Sequence, residues 1–333
     1  YTINGMAIDQ GSLKENPTIT PPEIRMKPGE LQHWRFGLLC HLQTYRFAIE
    51  KDEANEDGSR DRIPLRVAAW DGITAEEIEA YDELVMGPAD RLDFLIKAPT
   101  EPGVYTFKML YEQFGGFNNV NGANAIPIFQ DGEFLMFLPL FVTPSVGNSE
   151  LAVFKVIIEG EVNDMPLPAS LNPPMERLPY ILDNEVAWRE PRQIQFKVTG
   201  QVDFTALGVT DSRKFYINNL HFNANRVNQT MLLGTAEEWV ISNIHEGDHQ
   251  FLQINHPFHI HVNWFQVMEI HHPEVDEDNN IVLRVERPNH GNGLWVETID
   301  VPFGGKVVIR LRFQKFAGLH PMHCHVIAHE DEG

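Results

Sequence analysis

Apolar residues recur along this chain in short β-rich runs rather than at helical spacing. Val104–Lys108 (VYTFK), Gln193–Val198 (QIQFKV), Glu238–Ser242 (EWVIS) and Lys306–Phe313 (KVVIRLRF) alternate with period two or run apolar, and Gly, Pro, Asn and Asp turns separate them. Successive side chains of a strand point to opposite faces, so such runs predict strands with one face buried. Many short strands between turn residues predict all-β sandwiches. Thr74–Leu84 carries the best helical pattern, with Thr74 as N-cap and Glu77 in the third helical position, and predicts one short helix. Periodicity fails at Asn163–Pro174 (NDMPLPASLNPP), where prolines crowd the sequence. A boundary there divides the 333 residues into two predicted β domains, 1–165 and 166–333, each near a common domain size of roughly 150 residues.

Two segments of the second domain combine this pattern with metal-binding side chains: His256–His261 (HPFHIH) and His323–His329 (HCHVIAH). Read as strands, they sort by parity. His259 and His261 share a face, His323 and His325 share a face, and Cys324 points the other way, while His256 falls opposite to His259. If the two strands lie side by side, one side offers His256, Cys324 and, after a turn, His329. The other side offers His259, His261, His323 and His325. A thiolate with two imidazoles suits electron-transfer copper better than zinc, whose sites often show a C-x-x-C spacing absent here. The all-imidazole side suits copper, zinc, iron or nickel about equally, and only the pairing of two sites favours copper throughout. A lone histidine is more often a packed or surface residue than a ligand, but these share a parity around one of only two cysteines. The remaining histidines (His33, His41, His221, His245, His249, His271, His272, His290 and His320) read as structural or surface residues.

Asn255–Val267 (NHPFHIHVNWFQV) and Leu294–Gly333, from LWVETIDVP through HPMHCHVIAHEDEG, resemble the two C-terminal copper motifs of the multicopper oxidases, the laccase family. The resemblance implies cupredoxin-like Greek-key β-sandwich domains. It also implies type 1 copper on His256, Cys324 and His329, type 2 copper on His259, and a binuclear type 3 copper site on His261, His323 and His325. Glu330 matches an acidic position at which a carboxylate relays protons for oxygen reduction in bacterial members; an exposed acid in an acidic tail is its other reading. The implied reaction is laccase-type. A phenol or aromatic amine gives one electron at an accessible edge of His256, and dioxygen takes up four electrons and four protons to become water.

Such oxidases complete the cluster with four more histidines from two H-x-H pairs of an N-terminal cupredoxin domain, and the H-x-H pairs of this sequence are 259/261 and 323/325 alone. Tyr1–Met6, Pro22–Gly29 and His33–Phe36 resemble the opening of the middle domain of three-domain members. The expectation is therefore a copper-free middle domain and a copper-bearing C-terminal one, partnered by an N-terminal domain on a separate or cleaved chain. A secreted or periplasmic location belongs to the same expectation. Oxidation of Fe(II) or Cu(I) by the same architecture, and a type 1 electron carrier without catalysis, are the alternatives. The ten methionines are dispersed, which favours phenols over Cu(I).

Composition removes other classes. A net charge of −21 argues against nucleic acid as a partner, because phosphate binding needs clustered Lys and Arg. No apolar run approaches the ~20 residues of a membrane-spanning helix. Cys40 (in LLCHL) reads as a small buried apolar residue, Glu274–Asn280 as a solvated hairpin loop, and the Asn228 sequon carries no assigned role.

Overall fold

The computed structural model describes residues 2–3, 6–7, 21–40, 44–111, 125–130, 133–139, 150–173, 177–186, 190–199, 202–205, 208–211, 214–245, 255–275 and 281–330. The elements run β1 (Thr2–Ile3), β2 (Met6–Ala7), β3 (Glu23–Met26), β4 (Leu31–Gly37), β5 (Tyr45–Lys51), β6 (Leu65–Trp70), β7 (Ile73–Tyr81), β8 (Leu84–Met86), β9 (Arg91–Lys97), β10 (Gly103–Tyr111), β11 (Ala125–Gln130), β12 (Glu133–Pro139) and β13 (Glu150–Ile158). After α1 (Asp183–Val186) come β14 (Arg192–Thr199), β15 (Val202–Thr205), β16 (Gly208–Asp211), β17 (Lys214–Ile217), β18 (Thr235–His245), β19 (His256–Ile260), β20 (Phe265–Val275), β21 (Ile281–Glu286), β22 (Leu294–Val296), β23 (Thr298–Val301), β24 (Lys306–Phe313), β25 (Met322–Cys324) and α2 (Ile327–Glu330). The fold is all-β, and no described helix is long and apolar enough to cross a membrane.

Two sandwiches account for most of the described strands, and the pairs β1-β2, β11-β12 and β15-β16 form small sheets of their own. The first packs the sheet β3-β13-β10-β5-β8 against β4-β9-β6-β7. Its core, from Met26 to Ile158, is rich in aromatic rings, with Phe107 stacked on Phe154 at 4.6 Å. The second packs β17-β14-β18-β24-β20-β21, with β22 on β20, against the small sheet β23-β19-β25. In β24 the alternation read from the sequence is realised, with Val307, Ile309, Leu311 and Phe313 buried and the residues between them half-exposed. The outward Arg310 and Arg312 hold α1 across this sheet through Asp183 and Glu185, at 2.8 and 2.7 Å. Cys40 lies half-buried against the first core.

The predicted helix at Thr74–Leu84 is a strand and the start of another. Asp71 and Gly72 form a two-residue turn with φ of 49° and 81°, and Trp70 pairs with Ile73 across it. Asp-Gly is the dipeptide best suited to the positive φ angles of a tight hairpin turn. The helix-forming alanines and glutamates of β7 therefore yield to pairing with β6, as tertiary context commonly overrides propensity. This hairpin tip reaches the second sandwich, and Trp70 packs against both cores.

A candidate metal centre on one strand pair

The site is built on β19, which pairs with β23 on one side and β25 on the other. The register sets Phe258 opposite Cys324 and His259 opposite His323. Directly opposed residues share a face. The Phe258 face therefore carries Cys324 and His256 into the core, and the His259 face carries His323 outward.

On the inner face α2 returns His329 to within 3.4 Å of His256, Nδ1 to Nδ1. The ligand atoms of His256, Cys324 and His329 all lie within 4.8 Å of one another, and these residues are 3%, 4% and 2% exposed. Phe196 of β14 stacks on His256 at 4.9 Å and 9°, and Phe215 of β17 stacks on His329 at 3.8 Å. The accessible imidazole edge expected for His256 is therefore absent among the described residues. The same odd spacing that turns His256 away from His259 sends it beneath this aromatic cover. A cavity of about 1300 Å³ lies between the sandwiches, lined by Trp70, Tyr81, Tyr180, Trp295, Glu76 and Glu79 among others, and neither His256 nor His329 borders it.

Burial prepares these donors for a cation. It pushes His256 down to about 3, so the imidazole is neutral with a ring lone pair at ordinary pH. Burial also pushes the Cys324 thiol up to about 12, so without a positive charge beside it the sulfur stays protonated. Two imidazoles and a soft sulfur fit copper or zinc, and binding would displace the thiol proton. The depressed His256 value also fixes a pH dependence. An unfolded imidazole titrates near ~6.5, so stability present above that pH is lost as pH falls toward 3. Urea midpoints of the metal-free chain should drop between pH 7 and 4.5, and His256→Leu should flatten the drop. An equal slope in the variant would locate its origin elsewhere.

The outer face gathers the other histidines. The rings of His259 and His325 lie 4.8 Å apart, those of His259 and His261 5.0 Å, and His261 Nε2 faces His323 Nε2 at 3.2 Å. His325 is pushed down to about 4 by burial and then by the neighbouring imidazoles. Burial also lowers His259, whose Nδ1 lies 2.7 Å from the Glu297 carbonyl. Since a carbonyl only accepts, Nδ1 carries the proton and Nε2 the lone pair. Glu330 sits on this face, 3.6 Å from His323 Nδ1 and 3.8 Å from His325 Nδ1. His259, His261 and His323 form one candidate ligand group, and His323, His325 and Glu330 another.

All eight site residues picked from the sequence thus gather about one strand pair, with His329 and Glu330 brought to its two faces by α2. Of the other histidines, His33 faces Asp93, His271 faces Glu269 and His272 faces Glu286, at 3.0, 2.9 and 3.2 Å, while His221 packs against the Tyr216 ring. His41, His249 and residues 276–280 lie outside the described residues. Sequence reading missed Phe196 and Phe215, which look like ordinary strand residues, and also Glu297 and Asp71. Asp71 could have been found from its Asp-Gly turn signal.

Residues 186–333 match the family model described as multicopper oxidase. A multicopper oxidase of Staphylococcus aureus is 30% identical over 117 residues, 35% of this chain and 22% of that protein. The laccase of Bacillus subtilis is 30% identical over 111 residues, 32% of this chain and 20% of that protein. Among solved structures, the multicopper oxidase from Campylobacter jejuni, described as a metallo-oxidase, superposes with a TM-score of 0.57 at 19% identity, over 93% of this chain and 53% of that one. The chain thus spans about half of that solved structure, and its matches to the curated relatives cover about a fifth of each.

Proposed function

This chain belongs to the multicopper oxidase family, and from that premise we propose that it is the copper-bearing part of a laccase-type oxidase of phenols or aromatic amines. The observation that carries the reading is one strand pair with a buried thiol–imidazole triad on one face and four histidines on the other, joined at Cys324. His256, Cys324 and His329 would hold type 1 copper, His259 type 2, and His261, His323 and His325 the type 3 pair. Bound copper would supply one-electron redox chemistry at the buried triad and the reduction of dioxygen to water at the histidine face.

The chain's own residues set the conditions. Phe196 and Phe215 keep water from the buried imidazoles. Cys324 is bonded in sequence to His323 and His325, which gives the two faces a short covalent connection. Four further histidines, from a domain with two H-x-H motifs, would complete the outer face.

Glu330 would hold a proton beside His323 and His325. Glu330→Gln is expected to slow oxygen uptake by about 100-fold, the usual scale for losing a positioned acid–base group, while leaving the thiolate-to-copper absorption intact. An unchanged rate would remove Glu330 from proton delivery.

The competing reading is oxidation of Fe(II) or Cu(I), supported by the metallo-oxidase among the solved relatives. Copper-loaded protein, purified with any polypeptide that accompanies it, should consume oxygen with a phenol at a higher kcat/KM than with Fe(II). The reverse order would favour the metal oxidase. A thiolate band without oxygen uptake on any of these substrates would reduce the chain to an electron carrier.

A further inference from the structure

Asp71 is 8% exposed, and its carboxylate is fixed from both ends. Its Oδ1 accepts the Arg91 N–H at 3.1 Å, and its own N–H donates to the Arg91 carbonyl at 2.7 Å. Its Oδ2 accepts the backbone N–H groups of Glu297 and Thr298, both at 3.0 Å. The Thr298 N–H and the Glu297 carbonyl belong to one peptide unit, and in a trans peptide they point in opposite directions. That carbonyl accepts the Nδ1–H of His259 at 2.7 Å. Asp71 and His259 therefore grip opposite ends of the same peptide.

We propose that Asp71, carried on the hairpin of the first sandwich, is a positioning residue for His259, acting through the Glu297–Thr298 peptide. The inference rests on His259 being a metal ligand. Metal-binding histidines commonly donate their second N–H to a carboxylate or carbonyl, which fixes the ring and raises the basicity of the ligating nitrogen. Here a carboxylate stands one peptide behind the carbonyl. Negative charge on the peptide N–H side polarises the unit and strengthens its carbonyl as an acceptor. Arg91 adds an ion pair to the Glu297 side chain, and Trp264 Nε1 donates to Glu297 Oε2 at 3.3 Å. The strand end that orients His259 is thus held by Asp71 and Arg91 of the first sandwich and by Trp264 of its own sandwich.

The test titrates Cu(II) into the chain, with the thiolate-to-copper band reporting the buried triad and the remaining bound copper reporting the histidine face. Asp71→Asn keeps the shape but removes the charge. It should weaken copper at the histidine face about 10-fold, the lower end of the range for outer partners of ligating histidines, and leave the band unchanged. In a His259→Ala background the same change should have no further effect. If His259→Ala lowers affinity and Asp71→Asn does not, the positioning role fails. If His259→Ala itself changes nothing, the ligand reading beneath it fails instead. A second measurement needs no variant: in ¹⁵N-histidine spectra of the metal-free chain, His259 should show a protonated, slowly exchanging Nδ1. An Nε2–H tautomer would overturn the relay.

Discussion

Cys324→Ser is expected to abolish the thiolate-to-copper absorption and bring oxygen consumption to background. Serine keeps the size of the side chain but offers a hydroxyl of far higher pKa than a thiol in a pocket where burial already opposes charge. Copper at the inner face would be left with the imidazoles of His256 and His329. The outer face should still bind copper, because Cys324 contributes no side-chain donor to it. Visible spectroscopy, metal analysis and oxygen uptake on one preparation separate these effects. Colour that survives the substitution would refute the buried triad as a type 1 site.

Phe258→Ala is expected to cost about 3–5 kcal/mol, the usual scale for truncating a fully buried aromatic ring. Phe258 is 0% exposed. Its ring lies 5.6 Å from Phe265, 6.3 Å from Phe196 and 6.5 Å from Trp239, directly across the register from Cys324. Losing it opens a cavity behind the thiol and beneath the ring that covers His256. The thermal midpoint of the metal-free chain should fall by about 10 °C. A fall of only 1–2 °C would mean that the second core tolerates a void at its centre. Copper binding at the inner face should weaken in parallel, because the neutrality of the His256 imidazole depends on its burial in this packing.

What could be read beforehand follows from the range of each interaction. Strand parity is local, and it sorted His256 and Cys324 from His259, His323 and His325 without any long-range information. The pattern of β24 was equally legible, because its alternation of apolar and polar residues is its burial pattern. The hairpin at β6–β7 was misread for the opposite reason. Alanines and glutamates favour a helix locally, whereas the pairing that wins is with β6, itself held in the sheet by β9 on its other side. The accessibility of His256 was misjudged because its cover comes from Phe196 of β14, some 60 residues earlier, a phenylalanine with nothing unusual in its spacing. Glu330 was ambiguous in sequence because a helical turn, rather than a strand, follows Cys324. That turn buries His329 and brings Glu330 back to the outer histidines.

The Asp71 contact also bears on how the chain can be divided. The N–H groups of Glu297 and Thr298 find their acceptor 226 and 227 positions earlier in the sequence. A fragment beginning at residue 166 would retain every histidine of both faces, yet it would expose two backbone donors and release the peptide that holds His259. An excised copper module should therefore keep its colour more readily than its outer-face affinity, and adding the first sandwich in trans should restore the second property without changing the first.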